Sequence, residues 1–164
     1  HEVAGCDSVF VGRLQSGEIY NQSPTECVLN GTRRWVTPGA VEEARSEFAA
    51  MLQDLADRTG TQIEHDFEVQ GDAFRIDLKD PLVGAFRSAY ESCTGEQLSP
   101  GRKSFVDDGN SFARLAGIPA LTHGPAATGA HTLSEEVSVA ELIRVAQVYA
   151  LTAITYCPDA AEAA

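Results

Sequence analysis

The chain has 164 residues, with twelve Lys and Arg against twenty-four Asp and Glu, for a net charge of −12. That balance repels phosphate backbones and anionic lipid, which argues against nucleic-acid binding and a membrane-surface role. A hydrophobic content of 43% and a charged content of 22% suit a soluble globular chain with a real core, in one domain or two small lobes.

No apolar run approaches the roughly 18 to 20 residues that span a bilayer, and no signal peptide is visible. Because the chain begins at His1 rather than Met, an upstream portion stays open. Cys6, Cys27, Cys93 and Cys157 form no CxxC or CxxH pair, which argues against a zinc knuckle. Reduced thiols and a cytoplasmic setting are the expectation.

Residues 8 to 14 read as a strand rich in β-formers, Asn21-Gln22-Ser23-Pro24 as a turn, and Glu26 to Trp35 as a second strand antiparallel to the first. Thr37-Pro38 is the expected cap and first position of a helix that Gly60 closes. Its positions Val41, Ala44, Phe48, Met51, Leu52 and Leu55 follow a 3.6-residue period, predicting one buried face. Ile63, His65, Phe67 and Val69 then alternate with polar residues, as a strand with one wet face would, with His65 on the inward set. Gly71-Asp72 signals a turn, and Phe74, Ile76 and Leu78 alternate again.

Asp80-Pro81 marks both a boundary and a helix start, with Gly95 as its stop. A loop leads to a short strand at Ser104-Phe105-Val106, and Asp108 is the expected cap of a short helix ending at Gly117. Ile118 to Thr122 reads as a strand running into a Gly/Pro/Ala loop, Gly124 to Ala130, that ends at His131. Ser138 as N-cap with Glu141 three residues on starts a final helix to Tyr156, apolar round most of its circumference and expected against a sheet. A histidine held in a tight loop before a helix suits a metal ligand, since the loop fixes the ring and leaves one nitrogen free.

Three segments together resemble the M20-type zinc amidohydrolases and peptidases, the family of acetylornithine deacetylase, succinyl-diaminopimelate desuccinylase and carboxypeptidase G2. The first is Val11-Gly12-Arg13-Leu14, Gly17, Asn21 to Pro24 and Arg34. The second is Asp108-Gly109-Asn110 with Phe112 and Ala116 to Pro119, and the third is Gly124-Pro125 through His131-Thr132-Leu133-Ser134-Glu135. The resemblance implies a mixed α/β and α+β fold. Residues 1–79 would form part of a ferredoxin-like lid (dimerisation) domain in β-β-α-β order, and residues 80–164 the C-terminal part of an α/β zinc-hydrolase catalytic domain.

The same resemblance makes His131 a metal ligand in a zinc site, of two ions in the intact enzyme, with cobalt or manganese as alternatives. It makes Asn21 and Arg34 grips for the substrate's carboxylate and carbonyl oxygen, a role suited to the guanidinium fork. Gly124 would bring the loop backbone close to substrate. Arg33 faces the other side of its strand, Asp108 organises its own loop, and His123 supports the site without ligating metal. The implied reaction is metal-assisted hydrolysis of an amide or peptide bond in a small N-acyl amino acid, dipeptide or carbamoyl amino acid. Zinc assists by lowering the pKa of a bound water, which takes three or more protein ligands. The family's other ligands and its general base belong to an N-terminal half with no counterpart in these residues, so the chain alone is expected to be inactive and to pair with a copy of itself through the lid. The competing expectation is a non-catalytic dimerisation module derived from that family.

Overall fold

The computed structural model describes residues 3–130 and 132–157. The chain divides into two compact units, His1–Phe74 and Arg75–Ala164, a boundary a few residues before the Asp80-Pro81 pair. The architecture is mixed α/β.

In the first unit, β1 (Ser8–Ser16) and β2 (Cys27–Arg34) form an antiparallel hairpin in a register that sets Ser8 opposite Arg34 and Ser16 opposite Cys27. Gly12 has no partner, so the ladder bulges between Val11 and Arg13. Gly31 is fixed by close approach, because a Cβ there would stand 2.4 Å from the Phe10 carbonyl oxygen. Gly31→Ala is therefore expected to part the strands at a cost of about 1–3 kcal/mol, read as faster amide exchange along β2. Gly12→Ala, whose Cβ would meet nothing closer than the Phe10 ring at 3.4 Å, should leave exchange unchanged.

α1 (Val41–Thr59) ends, as expected, at Gly60 in the left-handed conformation with φ 69°. Its start differs from the expectation. Residues 37–40 form a turn in which the Ala40 N–H reaches the Thr37 carbonyl, and the helix begins at Val41 without a side-chain cap. Val41 and Ala44 are buried and Phe48 and Leu52 half-buried, but Met51 and Leu55 are exposed, so the covered face is narrower than the periodicity predicts.

Residues 61–77, expected to carry one further strand with room for a second short one, make no backbone ladder among the described residues. The alternation there does place side chains. Phe67 lies 5.5 Å from Phe48 and 6.4 Å from Trp35 between ring centroids, and His65 meets the Phe48 ring edge-on at 5.6 Å. Hydrophobic alternation chooses which side chains face the helix, but a ladder also needs a neighbouring strand.

Asp72 ties this unit together. Buried to 7% exposure, it accepts from Trp35 Nε1 at 2.7 Å, from the Gly39 N–H at 2.9 Å and from the Ala73 N–H at 2.8 Å. Asp72 is thus more than a turn residue, since it pins the end of β2 and the entry to α1 to the returning chain.

The second unit is helix on helix. α2 (Pro81–Thr94) has Pro at its first position, an Asp80 cap accepting from the Leu82 N–H at 2.8 Å, and Gly95 as a left-handed stop, all as the sequence predicts. α4 (Val139–Tyr156) starts at Ser138, whose hydroxyl accepts from the Glu141 N–H at 3.1 Å. Phe86, Ala89 and Val148 form the core between the two helices, with Tyr90, Cys93, Leu98, Leu121 and Leu151 around it. α4 therefore packs on α2 and not, as expected, on a sheet. The stretches 104–106 and 118–122 form no ladder among the described residues.

Between them, α3 (Asp108–Ser111) passes directly into a π-helical turn, Phe112–Ala116, closed by Gly117 at φ 62°. The cap is Asp107, one residue before the expected Asp108. Its carboxylate accepts from the Gly109 N–H while the Asn110 side chain accepts from the Asp107 N–H, a reciprocal box that Asp108 does not make.

Candidate functional site

The sequence-predicted residues fall in both units. In the first, Arg33 and Arg34 separate as strand alternation requires. Arg33 donates to Glu47 on α1 at 2.6 Å and to Asp7 at 3.5 Å, so it holds the hairpin to the helix. Arg34 is exposed and sits on the other strand face, at the open end of the hairpin. Asn21 is exposed in the loop at the closed end. Cys27 to Arg34 along β2 spans roughly 23 Å, so one hairpin does not bring Asn21 and Arg34 to the same small molecule.

In the second unit the Gly/Pro/Ala loop is closed by a two-way bridge, the Thr128 N–H to the Glu136 carbonyl at 3.0 Å and the Glu136 N–H to the Thr128 carbonyl at 3.1 Å. Inside the bridge the Thr132 N–H and hydroxyl both donate to the Gly129 carbonyl, at 3.0 and 2.7 Å. Gly129 needs φ 68°, and a Cβ there would stand 2.7 Å from the Ser134 carbonyl oxygen. The backbone on both sides of position 131 is thereby fixed; His131 itself lies outside the described residues. Glu141 joins the loop to α4 by accepting from the Ala126 N–H at 3.4 Å and pairing with Arg144.

Gly124 lines a cleft of about 580 Å³ together with residues 102–105, Asp107, Thr122, His123 and Pro125. A Cβ at Gly124 would meet nothing within 4 Å, so internal packing does not demand the glycine. In the same lining Asp107 accepts from Lys103 Nζ, from the Thr122 hydroxyl at 2.8 Å and from the Gly109 N–H at 2.9 Å, and Lys103 also donates to Asn110 Oδ1 at 2.7 Å. Burial pushes the Asp107 carboxyl upward, but the hydrogen bonds from Lys103 and Thr122, the Lys103 charge and the Gly109 N–H outweigh it and hold the group below its usual 3.8. Sequence reasoning passed over this network. Its trace is Lys103, Asp107 and Asn110 at spacings of four and three, the periodicity of one helical face continued upstream of a cap.

His123 lines the cleft with its ring among Phe86, Tyr90 and Tyr149, at centroid distances of 5.0, 5.7 and 6.0 Å. The Tyr149 hydroxyl donates to its carbonyl, and its Nδ1 is buried with no hydrogen-bond partner. Burial, with the Arg144 charge adding to it, pulls the imidazole pKa below 6.5. Folding thus favours the neutral ring, while below about pH 6.5 the unfolded chain binds the extra proton. Stability from this residue is present above pH 6.5 and is lost as pH falls through that value toward the lower folded pKa. The melting temperature should drop between pH 7 and pH 5, and by less in His123→Phe.

Among the described residues no group of three or more His, Cys, Asp or Glu side chains converges, so these residues do not by themselves make a zinc centre. No helix among them is long and apolar enough to cross a membrane.

Residues 6–155 match the family described as Peptidase family M20/M25/M40. The chain belongs to that family. Two curated relatives agree with the M20 assignment. The N-formyl-4-amino-5-aminomethyl-2-methylpyrimidine deformylase of Halalkalibacterium halodurans is 34% identical over 85 residues, 51% of this chain and 19% of the relative. The succinyl-diaminopimelate desuccinylase of Marinobacter nauticus is 24% identical over 139 residues, 85% of this chain and 35% of the relative. The chain thus spans about a fifth and about a third of the lengths of these two M20 proteins.

Proposed function

We propose that this chain is the part of an M20 hydrolase that presents one metal ligand and the substrate-binding residues. The whole protein would cleave an amide or peptide bond in a small N-acyl amino acid, dipeptide or carbamoyl amino acid. The observation that carries the reading is the family match across residues 6–155, which includes the bridged loop holding position 131 between Gly129 and Thr132. Both relatives are named for removing an acyl group, formyl in one and succinyl in the other.

In this reading His131 is one ligand to zinc, with the remaining donors coming from outside the described residues. The 164 residues alone have no turnover. Gly124 borders the substrate, which fits the open space at its Cα. Arg34 holds the substrate carboxylate and Asn21 its carbonyl oxygen. Because the hairpin keeps these two apart, a second copy paired through the first unit, as a partial ferredoxin-like lid, supplies one of them to each substrate. The four free thiols suit a cytoplasmic protein.

Arg34→Ala in the whole protein is expected to raise KM or lower kcat so that kcat/KM falls about tenfold to a hundredfold, the loss of a charged hydrogen-bond donor. Unchanged kinetics would remove Arg34 from the site. A second reading, a non-catalytic dimerisation module, draws on exposed apolar side chains on both hairpin faces, among them Val9, Phe10 and Leu14 at 72, 67 and 64% exposure. A stable metal-free dimer on gel filtration, with no hydrolysis by the whole protein, is what that reading predicts.

A further inference from the structure

α2 borders a cleft of about 320 Å³, lined by Gly84, Arg87, Ser88, Glu91, Gln97 and Leu98, that the hydrolase reading leaves unused. Residues 84, 87, 88 and 91 recur at helical spacing on one exposed face, while Val83, Phe86 and Ala89 are buried. Glycine inside a helix lowers stability relative to alanine, so it calls for a reason. Packing supplies none at Gly84, where a Cβ would meet nothing within 4 Å. Its effect is to leave the cleft open beside the helix backbone.

Arg87 and Glu91 stand four apart, the spacing at which opposite charges on a helix pair. Among the described residues their side chains make no ion pair or hydrogen bond, with each other or with any other group. The order along the helix accounts for this, because an acid that precedes its base complements the helix dipole and the reverse order does not. The helical pairs that do close all put the acid first: Glu42 with Arg45 at 3.9 Å, Asp54 with Arg58 at 3.2 Å, and Glu141 with Arg144. The Ser88 hydroxyl and the Gln97 amide are open as well. The cleft thus holds one positive and one negative group about a helical turn apart. A simple anion or a simple cation meets one opposite charge and one like charge there, whereas a molecule carrying both charges meets two opposite ones.

We propose that the α2 cleft binds a free α-amino acid with a small apolar side chain, its carboxylate on Arg87 and its ammonium on Glu91. The guanidinium offers two parallel donors to the carboxylate, and the Glu91 carboxylate accepts from the ammonium. Ser88 and Gln97 supply further hydrogen bonds, and half-buried Leu98 borders the ligand's side chain. Polar groups of this kind converging beside apolar surface are the usual make-up of a small-molecule site. The proposal stands on the cleft alone and does not depend on the hydrolase reading.

The test follows backbone amide shifts of the 164-residue chain during titration with L-alanine. Parallel titrations use propionate, which lacks the ammonium, and alaninamide, which lacks the carboxylate. Two charge-assisted contacts correspond to a dissociation constant of about a millimolar. Expected are shifts at residues 84–91 and 97–98 that saturate in that range with L-alanine alone. Arg87→Gln and Glu91→Gln should each weaken binding about tenfold or more. Gly84→Ala, which fills the opening, should weaken it without lowering the melting temperature, since alanine is the better helix former. The decisive variant exchanges the charges, Arg87→Glu together with Glu91→Arg. It keeps the net charge but puts the acid first, so the pair closes along the helix, binding is lost and the melting temperature holds or rises. No saturation at these residues, equally tight binding of propionate or alaninamide, or unchanged alanine affinity in the charge-exchanged chain would overturn the proposal.

Discussion

Asp72→Ala is expected to loosen the first unit by about 3 kcal/mol, because it removes a buried charged acceptor from the Trp35, Gly39 and Ala73 N–H donors at once. The Trp35 indole N–H and the Gly39 N–H both end on this carboxylate, at 2.7 and 2.9 Å. Each hydrogen bond to a charged group contributes roughly 1.5–3 kcal/mol, and a donor left dry adds its own desolvation cost. Residue-resolved hydrogen exchange checks this without assuming that the two units unfold together. Protection should fall at residues 35–40, 44–56 and 71–74 and stay unchanged across α2 and α4. Asp72→Asn should fall between, since an amide keeps one accepting oxygen in place of two. Uniform loss of protection over the whole chain would show that the carboxylate is not a local clamp.

The second large effect is expected at Gly129. A side chain there meets two independent obstacles, a left-handed φ of 68° and the Ser134 carbonyl oxygen at 2.7 Å from the new Cβ. The first costs roughly 1–2 kcal/mol for a residue other than glycine, and the second prevents the loop from closing as it stands. Gly129→Ala should therefore break the Thr128 and Glu136 pairing and move position 131. A ligand displaced by about 1 Å can cost about a hundredfold in rate. On the hydrolase reading proposed above, the whole protein carrying Gly129→Ala loses on the order of a hundredfold in kcat and binds less zinc per chain. Gly124→Ala is the contrast, since among the described residues a Cβ there meets nothing within 4 Å, and on the proposed reading a loss of activity would come from substrate.

What could be read from the sequence follows how local each cause is. The Asp80-Pro81 start, the Gly60, Gly95 and Gly117 stops and the Ser138 and Glu141 cap were legible because each depends on residues within four positions. The hairpin was legible too, its strands being separated by a single loop. The Asp107 cap was read one residue late because Asp108 offers the same carboxylate, and what separates them is the reciprocal pair in which Asp107 accepts from the Gly109 N–H and donates its own N–H to Asn110.

Non-local causes were not legible. Asp72 looks like a turn residue until its partners, 37 and 33 positions back, are in view. The alternation at 63–69 correctly turned Phe67 toward Phe48 and Trp35, yet carried no information on a ladder partner. α4 was placed against a sheet because it is apolar on most sides, whereas its buried residues Val145, Val148 and Thr152 select one face against α2. Of the candidate site, the loop around position 131 and the separation of Arg33 from Arg34 by strand alternation could be anticipated. The Lys103, Asp107, Asn110 and Thr122 network could not, because Thr122 joins it from fifteen residues away.

The central claim is that a closed glycine loop offers His131 to a metal ion. Anomalous diffraction at the zinc edge from crystals of the whole protein measures this most directly. The account predicts a peak with an imidazole nitrogen of His131 at about 2.0–2.1 Å, and the Thr128 to Glu136 bridge closed beside it. A fully occupied zinc peak whose ligands do not include His131 would contradict it.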